Sequence, residues 1–252
     1  MKRVILALVV LLVVASPVNA CIGARQAAMG WAGVAISDDA TTSYWNPAAM
    51  VWARDGVFYD NINDETAIAI KYDKYGFHFV DEGRKYFSFS YSHQLSENQA
   101  IGLGIGWQFP APVFHDDVNS DGFKLERISG TEGSEDYNGP EIDFSYFTKR
   151  GCLQYGVLCQ GANIRPTIAV VGDYITLSGC VYDLLDYFGV RHTRVGIEIV
   201  PFPSFSVAPS VRCSYNGYDE AFVCGVGLQV LFISFDFAYI NNQDVWDITC
   251  VF

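Results

Sequence analysis

Three sets of residues in this sequence have the types and spacing that chemistry requires. The first is the acidic stretch "HDDVNSDGFKLERISGTEGSEDYNGPE" (115–141), with eight carboxylates against Lys124 and Arg127 and half of the chain's net charge of −12. Within it, "DVNSDG" matches the first half of a calcium loop. Asp117, Asn119 and Asp121 supply oxygens at alternate positions, and Gly122 permits the sharp turn around the ion. The pattern then breaks, because Ile128 stands at the twelfth position, where a bidentate glutamate is needed. A solvated acidic loop is the stronger reading, and calcium is the only cofactor the sequence suggests.

The second set is the histidines, at 78, 93, 115 and 192, of which no two have metal-ligand spacing. A nucleophilic serine needs its base within hydrogen-bond reach. In "SYSHQLS", however, His93 shares the parity of Tyr91 while Ser96 falls on the opposite one, so no enzyme is expected. The third set is the charges embedded in alternating segments: Arg194, Glu198, Arg212, Asp236 and Asp247. A buried unpaired charge costs several kcal/mol, so these residues should be partners of one another or of a segment packed against them.

The elements that must position these residues are short and alternate with period two, as strands with one apolar and one polar face do. In "KYFSFSYSHQ", Phe87, Phe89 and Tyr91 oppose Ser88, Ser90 and Ser92. In "AIGLGIGWQF", Ile101 to Phe109 alternate with Gly102, Gly104, Gly106 and Gln108. "EIDFSYFT", "RVGIEIV" and "ISFDFAY" repeat the pattern. The apolar face is large and aromatic and the other is small or polar. A sandwich core would need small partners to interlock; a barrel with its aromatic face in lipid and a small or polar lumen would not. The expected fold is therefore all-β, a transmembrane antiparallel up-and-down barrel of 12–14 strands, an even number being favoured. "QVLFIS" (229–234) reverses the outward parity without Gly or Pro, which implies a very tight turn or a bulge.

Half of all residues are hydrophobic, and no run after the first twenty residues approaches the length of a spanning helix. Residues 1–20 read as an export signal: Lys2 and Arg3, then the apolar run Ile5 to Ala15, then small residues at Val18-Asn19-Ala20. Cys21 follows the expected cut and is either a lipidation site, despite the unfavourable Asn19, or a free thiol. Cys159, Cys213, Cys224 and Cys250 share the large apolar faces of their strands, where cysteine acts as a small hydrophobe. Cys213 and Cys224 are symmetric about "NGYD" (216–219); a bridge between them and free thiols both remain open, free thiols being preferred. The acidic surface repels nucleic acid, which excludes that partner.

The segment between the signal and the first strand carries a specific resemblance. "GARQAAMGWAGVAISDDATTSYWNPAAM" (23–50) resembles the N-terminus of the FadL-like superfamily of outer-membrane barrels, most closely its PorV/PorQ branch. The matching motifs fall at Gly23 to Arg25, Met29 to Ala35, Asp38 to Ala40 and Tyr44 to Ala48, and the final strands are similar as well. The resemblance implies a hatch at 21–50 and a barrel at 51–252 in the outer membrane. Met29, Gly30, Asp38, Asp39, Trp45, Asn46, Pro47 and Ala48 are the hatch or gating residues, with Asp38 and Asp39 expected to pair with Arg194 or Arg212. Asn46-Pro47 should form a turn, with Trp45 extended-to-turn before it. A turn leading into the first strand, without a gating role, is an equal reading. The implied partners are outer-membrane lipid and the barrel-assembly machinery, the latter because the alternating strand ending at Phe252 resembles its recognition signal. Two functions stay open: binding exported protein cargo in secretion or surface display, as in the PorV branch, and uptake of a small apolar ligand, as in the FadL branch.

Overall fold

The computed structural model describes residues 23–29, 34–36, 38–62, 65–81, 85–109, 140–160, 163–181, 193–216, 221–240 and 243–252. Over these residues the period-two segments form fourteen strands. They are β1 (Gly56–Ile62), β2 (Glu65–Tyr72), β3 (Tyr75–Asp81), β4 (Lys85–Ser96), β5 (Gln99–Phe109), β6 (Pro140–Arg150) and β7 (Leu153–Gln160), followed by β8 (Asn163–Val171), β9 (Ile175–Val181), β10 (Thr193–Ile199), β11 (Val207–Asn216), β12 (Ala221–Val230), β13 (Ile233–Ile240) and β14 (Gln243–Val251). Each strand pairs antiparallel with its neighbours in sequence, and β1 closes on β14 from Gly56↔Val251 to Asp60↔Asp247. Closure removes every sheet edge, so no row of backbone donors and acceptors is left unpaired. The expected all-β antiparallel barrel is present, at the upper end of the expected strand number.

The parity reversal at 229–234 is a two-residue turn. β12 ends at Val230, β13 begins at Ile233, and Leu231 sits in the left-handed region at φ 56°. This turn lies at the end of the barrel that also holds Gly56, the C-terminus and the tight connections β2–β3, β4–β5 and β6–β7. β5 ends at Phe109 and β6 begins at Pro140 at the opposite end. The signal segment 1–20, Cys21, Gly30 and the calcium candidates Asp117, Asn119 and Asp121 lie outside the described residues.

The two faces follow the sequence pattern. Phe89, Ile105, Ile142, Phe144, Val195 and Trp246 point outward and are exposed, while Ser88, Ser90, Ser92, Asp143, Ser145 and Glu198 point inward and are buried. The inner face is less uniformly small than the alternation implied, because Phe58, Tyr86 and Phe147 also point inward and are almost fully buried. On β14, Ile248 and Cys250 keep the outward parity of Trp246 but are covered, packing with Ile233 of the adjacent strand.

Inward glycines decide how closely other chain can approach the wall. A Cβ on Gly196 would collide with the Met29 backbone, and one on Gly102 would collide with the backbone at Pro47 and Ala48. Gly179 is the control, since it lies on the outward parity of β9 opposite Val195 and a Cβ there would meet nothing closer than 3.8 Å. Overpacking costs about 1–3 kcal/mol. Gly196→Val should therefore loosen residues 23–29 and increase trypsin cleavage after Arg25 at least several-fold in the folded barrel. Gly179→Val should leave the cleavage rate unchanged.

Candidate functional site

Residues 23–29 and 38–55 form short pieces of structure. α1 (Ala24–Ala28) and α2 (Thr42–Trp45) are single turns, and a 3-10 turn spans Pro47–Val51. Before α2, Asp39 Oδ1 accepts from the Thr41 backbone N–H (2.8 Å) and hydroxyl (2.6 Å). Asn46 precedes the proline and is extended, at φ −162° and ψ 88°, as the steric clash with a following proline ring requires. The extended residue is thus Asn46. Trp45, expected to be extended-to-turn, closes α2, because the proline restriction acts only on its immediate neighbour. Asn46 Oδ1 accepts from Ala48 N–H at 3.2 Å, and its Nδ2 donates to the Val34 carbonyl at 2.7 Å. One side chain therefore caps the 3-10 turn and ties it to the chain twelve residues earlier.

The segment packs against the inward face of the barrel. α1 lies on β11 to β14, α2 on β2 to β4, and the 3-10 turn on β3 to β6. Met29, Trp45, Pro47 and Ala48 are buried. The inward serines meet its backbone: Ser145 Oγ accepts from Ala48 N–H (2.9 Å), and Ser90 Oγ donates to the Ser43 carbonyl (2.9 Å). The Ala48 N–H is thus shared between Ser145 and Asn46, and the buried Ser43 carbonyl gains a wall hydroxyl as partner. Rings fill the remaining space, Tyr44 standing edge-on to His78 at 5.1 Å and Trp52 lying 5.3 Å from Phe147.

Charge fixes the other half of the contact. Arg25 donates through Nε and Nη2 to the two oxygens of Glu198 (3.0 and 2.9 Å) and through Nη1 to Asp38 (2.6 Å). Glu198 also accepts from Arg212 Nε at 2.7 Å, and Arg212 Nη1 pairs with Asp236. The carboxylate of Asp247 accepts from the Arg25 backbone N–H at 3.4 Å, and that of Asp60 from the Gly23 N–H at 3.2 Å. Asp38 therefore meets Arg25 of its own segment and not Arg194 or Arg212, and Asp39 lies 3.9 Å from the same guanidinium. Arg194 is on the inward face of β10, at the same parity as Glu198. Glu198, Arg212 and Asp236 come together as mutual partners. The residue missing from the expected set is Arg25. Its signal was a single cation in a run of small residues ahead of an Asp-Asp pair.

A cavity of about 210 Å³ adjoins these charges. Arg25, Asp38, Glu198, Arg212 and Asp236 line it, and Gly172, Asp173 and Pro203 place it at the end of the barrel with the tight turns. Among the described residues there is no group of three His, Cys, Asp or Glu that could hold a metal ion. The arrangement's chemistry is that of a charge-assisted clasp between the N-terminal segment and the wall.

No family model matches the chain, and no curated protein matches it. Among solved structures it is similar to one described by the words "Unveiling the Mechanism Behind the in-meso Crystallization of Membrane Proteins". The two are 8% identical, the match covers 78% of this chain and 83% of that one, and the TM-score is 0.35. A likeness at that level carries no argument. The class that the fold defines is the closed antiparallel β-barrel of fourteen strands.

Removing one member of a buried ion pair costs about 3–5 kcal/mol. Glu198→Gln weakens both guanidinium contacts and should approach that loss in denaturant unfolding of the refolded barrel. Asp38→Asn affects a partly exposed partner and should cost about 1 kcal/mol or less. A double-mutant cycle of Arg25→Gln with Glu198→Gln should return a coupling of about 0.5–3 kcal/mol.

Proposed function

We propose that this protein is an outer-membrane β-barrel plugged by its own N-terminal segment, acting in secretion or surface display by binding exported protein cargo. The observation that carries the reading is the seating of residues 23–29 and 38–53 against the inward face, through Arg25–Glu198 and the wall serines. A barrel so occupied has its surface and its far-end connections left for recognition. Strands of seven to twelve residues fit a tilted crossing of the bilayer, which needs about 9–11. The outward face, with Phe89 61% and Ile142 62% exposed, suits lipid better than water. The PorV/PorQ resemblance at 23–50 supplies the cargo role.

The alternative, uptake of a small hydrophobic compound in the FadL manner, needs an apolar path through the lumen. In the cavity beside the segment Val171, Val200 and Leu228 share the lining with Arg25, Asp38, Glu198, Arg212 and Asp236, and those charges interrupt an apolar path. The cargo reading is therefore favoured.

Native mass spectrometry of the barrel, extracted gently from its own membranes, separates the two readings. A co-purifying protein whose mass matches an export-processed chain is the expected result. A bound small apolar molecule that is lost when residues 23–48 are deleted would replace cargo binding with transport. The plug is tested by conductance in a planar bilayer. Deleting residues 23–48 should raise the single-barrel conductance several-fold, and an unchanged conductance would remove the plug from the account.

A further inference from the structure

Cys213 and Cys224 face each other in the β11–β12 ladder, between the pairs Arg212↔Gly225 and Ser214↔Val223. Their Sγ atoms are 2.9 Å apart, closer than ordinary contact between sulfurs. Facing residues of an antiparallel pair have Cα atoms about 4.5–5.5 Å apart, inside the span of about 4.4–6.8 Å that a disulfide bridges. The ladder register thus brings the pair to a spacing that a disulfide spans. Both side chains are on the outward face, Cys213 half-buried and Cys224 exposed. The other described cysteines have different residues opposite. Cys159 faces Phe144 and Ile164, Cys180 faces Thr167 and Arg194, and Cys250 faces Val57 and Ile233. Cys152 lies in the β6–β7 turn.

We propose that Cys213 and Cys224 form a redox modification site, a cross-strand disulfide made by exchange with a disulfide-bearing oxidant. One cysteine thiolate attacks a sulfur of the oxidant's S–S bond, expelling one thiol and leaving a mixed disulfide on the protein. The second cysteine attacks the protein sulfur of that mixed bond, forming Sγ–Sγ and releasing the second thiol. Two electrons pass from the cysteines to the oxidant, and the two cysteine protons end on the released thiols. The bond pins β11 to β12 three residues from Asn216 and from Ala221, where the two strands end and begin, next to the Tyr215–Phe222 ring pair at 5.1 Å. It does not depend on the cargo or plug reading.

The test uses the full barrel, folded and detergent-extracted, exposed to oxidised glutathione, acid-quenched, denatured and blocked with N-ethylmaleimide. Chymotrypsin has sites at Tyr215, Tyr218 and Phe222, between the two cysteines. The unreduced digest should contain the Cys213 and Cys224 peptides joined, without maleimide, and reduction should separate them. Cys213→Ser should abolish the joined pair. Maleimide on both cysteines in the unreduced digest would overturn the proposal. So would glutathione, or a different cysteine, bonded to each.

Discussion

Glu198 is the carboxylate on which the N-terminal segment and the wall both depend. It is 3% exposed, its two oxygens accept from Nε and Nη2 of Arg25, and Oε1 accepts from Arg212 Nε as well. A carboxylate removed this far from water is tolerable only when its lone pairs are filled and its charge is opposed. Arg212 comes from the adjacent strand, so the wall supplies one guanidinium. The segment must supply the other, and Arg25 is the residue that does so. Register in the ladder sets the geometry, because Glu198↔Arg212 are facing partners on β10 and β11 and Asp236 lies two strands beyond Arg212, on β13, where Arg212 reaches it past the glycines Gly225 and Gly227 of β12.

The period-two constraint explains why the inner wall is made as it is. Closing a sheet on itself sends every second side chain inward. Where the segment's backbone touches the wall, those positions are Gly102 and Gly196, which leave room, or Ser90 and Ser145, which give hydrogen bonds. Elsewhere on the inner face Phe58 and Phe147 pack against the segment's small residues, and Tyr86 lies over Gly106. Small residues and aromatics on one inner face are thus two answers to the same packing requirement.

Much of this was legible in the sequence, and the failures have identifiable causes. Alternation in "KYFSFSYSHQ" and "AIGLGIGWQF" gave the strands and the direction of each face, since periodicity depends only on local backbone geometry. The reversal at 229–234 announced a tight turn, and Leu231 at positive φ makes it. Tertiary pairing was harder to read. Asp38 and Asp39 were expected on Arg194 or Arg212, but the partner they meet is thirteen or fourteen residues away in their own chain. Short-range placement by α1 and α2 brings Arg25 there, and no spacing rule encodes that path. Similarly, Trp45 was expected to be extended although the proline restriction falls on Asn46. Cys213 and Cys224 were legible as a symmetric pair about a turn; their facing register is what the ladder adds.

Residues 23–29 and 38–53 should be held against the inner wall as firmly as the strands they touch. Hydrogen–deuterium exchange on the intact barrel measures this directly, amide by amide. Ala48 and Trp52, whose N–H groups donate to Ser145, Asn46 and the Ala49 carbonyl, should exchange orders of magnitude more slowly than an unstructured peptide. Their protection should approach that of Gly102 and Ser145 on the facing strands. Exchange of Ala48 and Trp52 at the unstructured rate, with β5 and β6 still protected, would contradict the account.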